Sequence, residues 1–244
     1  MKVMLLYGSS SMLSYIGARR CYSKKSSEEL MEDALKLHED KLKEYLDKVR
    51  GSGHTSVLEH TVFTFAIDGV SRALLAQLTR HRIGISFSVQ SQRYCSMEKL
   101  TVDDHIWYHS DNKDIENEYR KAIQDSIDHY NTLITLGEAP ERARRVSTQA
   151  APTSIIMTIN AAELIHVAGL RCCVRAEEEI RELFFEISRL VKLEAPELFK
   201  DIGPFCKMHG YCPEGERGCG RAPTLDELLK TYNRVKAAGG YQIG

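Results

Sequence analysis

Thr61-Val62-Phe63-Thr64-Phe65-Ala66-Ile67, followed closely by Ser71-Arg72-Ala73-Leu74-Leu75-Ala76-Gln77-Leu78-Thr79-Arg80-His81-Arg82, is the stretch that decides the fold. The first seven residues alternate and are rich in β-branched and aromatic side chains, the pattern of a half-buried strand. Ser71 then offers a cap to a helix that carries Leu74, Leu75 and Leu78 into a cluster of cations. Outward from here the same two periods recur. Residues 2–7 predict a strand. Ser27, followed by Glu28 and Glu29, predicts the cap of one long helix through Leu30, Leu35, Leu37, Leu42 and Leu46 to about Val49, stopped by Gly51-Ser52-Gly53. Residues 111–136 predict an amphipathic helix, and Pro140 opens a short one ending near Arg145. Thr153–Ile159 predicts a strand, Asn160-x-x-Glu163 the cap of the next helix, and Thr224-x-x-Glu227 a capping box opening the last. Helices mixed with antiparallel-looking strands make the class α+β or α/β.

Composition excludes several kinds of protein. The 244 residues suffice for a full core. Lys+Arg total 33 against Asp+Glu 34, so there is no global basic field to hold nucleic acid. No apolar run approaches the ~20 residues that span a bilayer, and the apolar start is too short for a secretory signal. Seven cysteines without such a signal predict reduced thiols and a cytoplasmic location. No linker or repeat interrupts the chain. The expected organisation is a catalytic domain over 1–200, with a Cys-containing extension over 201–244 packed on it.

The cations are unevenly placed. Arg80, His81, Arg82 and Arg93 fall within 14 residues, and Ser71–Tyr94 contains no Asp or Glu. Arginine forks grip phosphates and planar imides bidentately, and the Gly/Ser-rich loop between Arg82 and Ser91 would let a ligand approach the backbone. An anionic ligand is the natural counter-charge. Gln77 and Arg80 stand three apart, on one face of a helix reaching Arg82. Ser91 lacks the neighbouring base that a nucleophile needs. Gly53–His60 taken alone is as well explained by a capped loop with a Glu59–His60 pair. Arg142 and Arg145 are accounted for by the dipole of the helix end they occupy. His166 and Arg171 stand in an apolar helical run, where a buried arginine is costly unless paired. Cys206, His209, Cys212 and Cys219 match no familiar zinc spacing, so no metal is expected.

Four blocks, Gly53–His60, Arg80–Tyr94, Pro140–Arg144 and Met157–Arg171, together resemble the signatures of the flavin-dependent thymidylate synthases. Three departures stand out. The spacer Ile83–Gln90 is one residue longer than the family's, Val146-Ser147-Thr148-Gln149 replaces a common Val-Leu-Pro-Asn, and Ala162 stands where arginine is frequent. The resemblance implies an α+β fold with a mixed or antiparallel central sheet and long flanking helices. It implies reductive methylation of dUMP to dTMP, with methylenetetrahydrofolate as carbon donor and NADPH as reductant acting through FAD. It assigns Gln77, Arg80, Ser91, Gln92, Arg93, Arg144 and Arg171 to dUMP, with Arg171 catalytic. His54, Ser56, Arg80, His81, Arg82, Asn160, Ala162 (through its backbone) and His166 fall to FAD. Arg175 becomes a second ligand or a partner for Glu178 and Glu179. A homotetramer with composite sites is implied, Arg144 serving a neighbouring subunit. The competing function is a non-catalytic nucleotide- or phosphoanion-binding protein. A zinc-stabilised RNA-binding module fits poorly with the balanced charge and the lack of a stacking cluster.

Overall fold

A computed structural model describes residues 1–105 and 110–237. The chain begins with β1 (Lys2–Gly8), α1 (Met12–Tyr22), α2 (Ser27–Leu35) and α3 (Glu39–Gly51). A 3-10 turn over Thr55–His60 leads to β2 (Val62–Ser71), α4 (Arg72–Leu78) and β3 (Ile85–Val89). Next come α5 (Val102–His105), α6 (Lys113–Thr135), α7 (Pro140–Ala143) and β4 (Pro152–Asn160). The remaining helices are α8 (Ala161–Arg171), α9 (Glu178–Glu194), α10 (Pro196–Phe199), α11 (Phe205–His209) and α12 (Leu225–Ala237). Residues 238–244 of the expected extension lie outside the described residues. The elements form two compact units, one from Met1–Gly8 and Val62–Asn160, the other from Ser9–Thr61 and the chain from Ala161 onward.

The first unit is built on a four-stranded sheet in the order β1-β2-β4-β3, antiparallel throughout. Register explains its core. Leu5, Phe65, Met157 and Phe87 form one cross-strand row, and Val3, Ile67, Ile155 and Val89 the next. Phe63, Phe65, Ile67, Met157 and Ile159 are fully buried. Each such side chain contributes roughly 1.5–3 kcal/mol relative to exposure. Gly69, at φ 69°, occupies the bulge that interrupts β2 against β4. Met97, Tyr130, Ala143 and Ala151 make a smaller core that ties α6 and α7 to the loop after β3.

The α+β expectation holds, and its long helices are α6 and α9. Several boundaries differ. The single helix expected over 27–49 is two. Ser26, not Ser27, makes the capping box with Glu29, and a break at Lys36–His38 ends α2. There His38 Nδ1 accepts from Asp40 N and starts α3 anew. The 83–90 segment expected as a loop contains β3. The short helix after Pro140 is α-helical only to Ala143 and continues as a 3-10 turn over Arg144–Val146. The Thr224–Glu227 capping box forms as expected.

The second unit is helical. Pairs α1–α2, α1–α3, α8–α9, α9–α10 and α3–α10 pack together. Ile180, Leu183, Phe184, Ile187 and Val191 bury one stripe of α9 at helical spacing.

Candidate anion and nucleotide site

In the first unit the Ser71 hydroxyl accepts from Leu74 N at 3.0 Å and sets the start of α4. The next two amides, Arg72 N and Ala73 N, donate to Ala151 O and Gln149 O at 3.0 Å each. The loop after the Arg144 turn is thereby pinned beside Arg72. Arg72 donates from Nη2 to Gln90 O at 2.9 Å, while its buried Nε has no partner. Burial, and then the nearby Arg144 cation, lower the Arg72 pKa from its ordinary value. Ser147 Oγ and Thr148 Oγ1, in the same loop, are also buried and unpartnered. Among the described residues no carboxylate pairs with Arg72, Arg80, Arg82 or Arg144. Donors arranged without acceptors are a place for an anion.

The other expected residues of this unit take several positions. Helix α4 ends at Leu78, so Arg80 lies beyond it and does not share a helical face with Gln77. Arg80 and Arg82 are exposed; Gln77 and His81 are half-buried. Arg93 has the counter-charge its local sequence lacks. Its Nε donates to Glu141 Oε2 at 2.9 Å, and its guanidinium lies 5.6 Å from the Tyr94 ring. The Ser91 hydroxyl accepts from Arg93 N at 3.2 Å, which occupies that amide. Gln92 Nε2 donates to Met97 Sδ and lines a cavity of about 240 Å³ with Gln90, Met97 and Thr153. Asn160, 9% exposed, closes the turn before β3: its N–H donates to Gly84 O at 2.8 Å. Gly84 sits at φ 65°, and a Cβ there would collide with the Asn160 side chain.

In the second unit Gly53, at φ 77°, opens the 3-10 turn, and Val57 and Leu58 anchor it. Ser56, Glu59 and His60 are left exposed, and half-buried His54 meets the Tyr22 ring edge-on with 6.2 Å between centroids. The turn packs against α8, and Ala161 N donates to Thr61 O at 2.8 Å. This brings His54 and Ser56 to the helix carrying Ala162, His166 and Arg171. The deep burial expected for the last two is not found. His166 is exposed and Arg171 half-buried, because the buried stripe of α8 is Leu164, Val167 and Ala168. Burial raises the pKa of Glu163, which the neighbouring His166 partly opposes. Arg175 pairs with Glu214 at 2.8 Å and with Arg217 O, not with Glu178 or Glu179. Among the described residues no three His, Cys, Asp or Glu side chains are grouped to hold a metal.

A family model described as thymidylate synthase complementing protein matches residues 5–197. The chain belongs to that family. A flavin-dependent thymidylate synthase of Geobacter sulfurreducens is 43% identical over 219 residues, which cover 88% of this chain and 91% of the relative. One of Clostridium tetani is 37% identical over 227 residues, covering 86% and 89%. Thymidylate synthase X of Helicobacter pylori, solved with FAD and dUMP, superposes with a TM-score of 0.67 at 23% identity. That alignment covers 83% of this chain and 99% of the other, and it shows the shared fold.

Two residues of interest escape sequence reasoning. Arg72 follows a helix cap and looks like a first-turn surface residue, although it lies inside the acid-free stretch that points to a ligand. Gly84 is one of many glycines, and only its backbone conformation marks it.

Proposed function

We propose that this chain is an FAD-dependent thymidylate synthase, converting dUMP to dTMP with methylenetetrahydrofolate as the one-carbon donor and NADPH as the reductant. It works in the cytoplasm as a homotetramer whose sites combine residues of neighbouring subunits. Residues 1–200 form the catalytic part and 201–244 an extension, a division supported by the family match ending at residue 197. Among the described residues no helix is long and apolar enough to cross a membrane.

The observation that carries the proposal is the group of donors without acceptors: Arg72 Nε, Ser147 Oγ and Thr148 Oγ1, with Arg144 alongside. In a chain with 34 acids, leaving these cations unneutralised costs stability unless an anion completes them. Ser91, Gln92 and Arg93 would hold the dUMP phosphate, joined by Arg144, and with it Arg72, from a neighbouring subunit. Arg93 can keep its Nε on Glu141 while its remaining N–H groups turn to the phosphate, so the ion pair aims the fork rather than blocking it. Gln77 and Arg80 would contact the nucleotide further along. Arg171 would lie against the uracil imide, where a planar two-pronged cation stabilises negative charge on N3 and the carbonyls and makes C5 nucleophilic.

FAD would fall to the remaining residues. Arg80, His81, Arg82 and the Ser56 hydroxyl suit its phosphates, and Asn160, the Ala162 backbone, His54 and His166 would hold the rest. Bound FAD supplies the hydride that completes the methyl group, with electrons taken from NADPH. The purified chain should be yellow, release FAD on denaturation and change its flavin spectrum when dUMP is added. A colourless protein that also fails to take up added FAD would end the proposal.

A further inference from the structure

Helix α8 carries a buried glycine where alanine would serve the helix better. Glycine in a helix interior is less stabilising than alanine. At Gly169 the reason is visible: a Cβ there would collide with the ring of Phe205. Phe205 is the first residue of α11, which packs on α8 and lies beyond the family match over 5–197. The ring is not merely a plug. It is tilted 58° to the His166 ring at 5.8 Å between centroids, and it also stacks on His209 at 5.2 Å and 25°. His209 in turn meets Tyr211 at 5.8 Å. A four-ring ladder thus runs from the outer face of α8 into the Cys-containing extension. It uses an exposed histidine that helix packing alone leaves unconstrained.

We propose that Phe205 is a positioning residue for His166. Seated on Gly169, it fixes the imidazole toward the flavin and makes the extension a working part of the site. The inference rests on the proposed contact between His166 and FAD. An exposed histidine has several open rotamers, and a ring packed against it removes most of them before ligand arrives, which lowers the cost of binding. Aromatic pairs of this geometry are worth about 0.5–1.5 kcal/mol, so losing the pair should weaken FAD binding by roughly two- to tenfold.

Four full-length variants test this: Phe205→Leu, which keeps apolar bulk without a ring, Phe205→Tyr, Gly169→Ala, and Gly169→Ala combined with Phe205→Ala. Three quantities are measured on each: the His166 Cε1–H resonance without flavin, the FAD dissociation constant, and the melting temperature of the apoprotein. Phe205→Leu should move the His166 resonance and weaken FAD several-fold while lowering the melting temperature by only about 2–6 °C, and Phe205→Tyr should restore all three. Gly169→Ala should lose stability and FAD affinity together. The double variant should regain stability, because the collision is gone, without regaining affinity. Affinity that follows melting temperature through the whole set would overturn the proposal, as would wild-type FAD affinity in Phe205→Leu. His166→Ala is measured in parallel. If it binds FAD normally, the assumed flavin contact is wrong and the proposal falls with it. An unmoved His166 resonance in Phe205→Leu overturns the ring contact itself, whatever the flavin does.

Discussion

Replacing Arg72 with methionine separates a ligand-binding arginine from a structural one. Among the described residues Arg72 makes one side-chain hydrogen bond, to Gln90 O at 2.9 Å, and leaves Nε buried without a partner. Losing a bond from a charged donor costs about 1.5–3 kcal/mol, while removing an orphaned buried donor returns about 1–3 kcal/mol. Methionine also fills most of the volume and relieves repulsion from Arg144, the second cause of the lowered Arg72 pKa. The two main effects nearly cancel, so stability should change by no more than about 1 kcal/mol, or about 4 °C in melting temperature for a chain of this size. Nothing cancels in the complex. Deleting a charge-assisted contact to phosphate should raise the dUMP dissociation constant by roughly ten- to a hundred-and-fifty-fold. Calorimetric titration in chloride buffer gives the affinity, and scanning calorimetry of the ligand-free protein gives the stability. Inorganic phosphate should raise the melting temperature of the wild type more than that of the variant. A variant destabilised by more than about 2 kcal/mol with unchanged dUMP affinity would show that Arg72 serves the fold and that the unpaired donors are no anion site.

Arg171→Lys keeps a cation but not a planar fork, and should lower turnover by about a hundred- to a thousandfold. Flavin reduction by NADPH should change far less, and wild-type reoxidation with product in stopped-flow absorbance would refute the bidentate role. Gly84→Ala places a Cβ at φ 65° against Asn160, and should cost more than about 1 kcal/mol in denaturant unfolding. An unchanged midpoint would mean that the turn relaxes freely. Gln90→Glu brings a carboxylate near Arg72, and should raise the apoprotein's stability by up to about 1 kcal/mol at low salt while weakening dUMP. A gain that persists in high salt would show that its origin is not charge pairing.

The parts of the fold legible in the sequence are those where one physical signal dominates. Thr61–Ile67 alternates without interruption, and β2 forms with Phe63, Phe65 and Ile67 buried as that alternation requires. Thr224 and Glu227 can satisfy each other locally, and they do. Errors arise where two signals compete. Ile85-Ser86-Phe87-Ser88-Val89 alternates as cleanly as β2, yet its serines and the preceding Gly84 suggest a loop. Pairing with β4 decides the matter, since Ile85, Phe87 and Val89 sit opposite Ile159, Met157 and Ile155. The leucines of 30–46 suit one continuous helix, and nothing local reveals that His38 can cap a second. Arg171 and His166 depart from their apolar surroundings for a different reason. Local apolarity says how hydrophobic a helix is, but which stripe of α8 faces inward depends on α9 and the Thr55–His60 turn.

Charge distribution carries the functional argument further than any single motif. Several long cations meet an acid: Arg142 with Glu138, Arg120 with Asp103 and Glu116, Arg175 with Glu214, Arg189 with Glu186. These pairs are largely exposed and each is worth little. They show where the fold itself supplies a counter-charge. Arg93 is the instructive intermediate, paired through Nε to one exposed carboxylate and left with the rest of its fork. Arg72 and Arg144 stand at the other extreme, joined to no acid among the described residues, with Arg72 lowered by burial and then by the Arg144 cation. Buried donors and adjacent cations left without an acid are what the proposed phosphate site needs, and the Arg72→Met measurement decides whether they serve it.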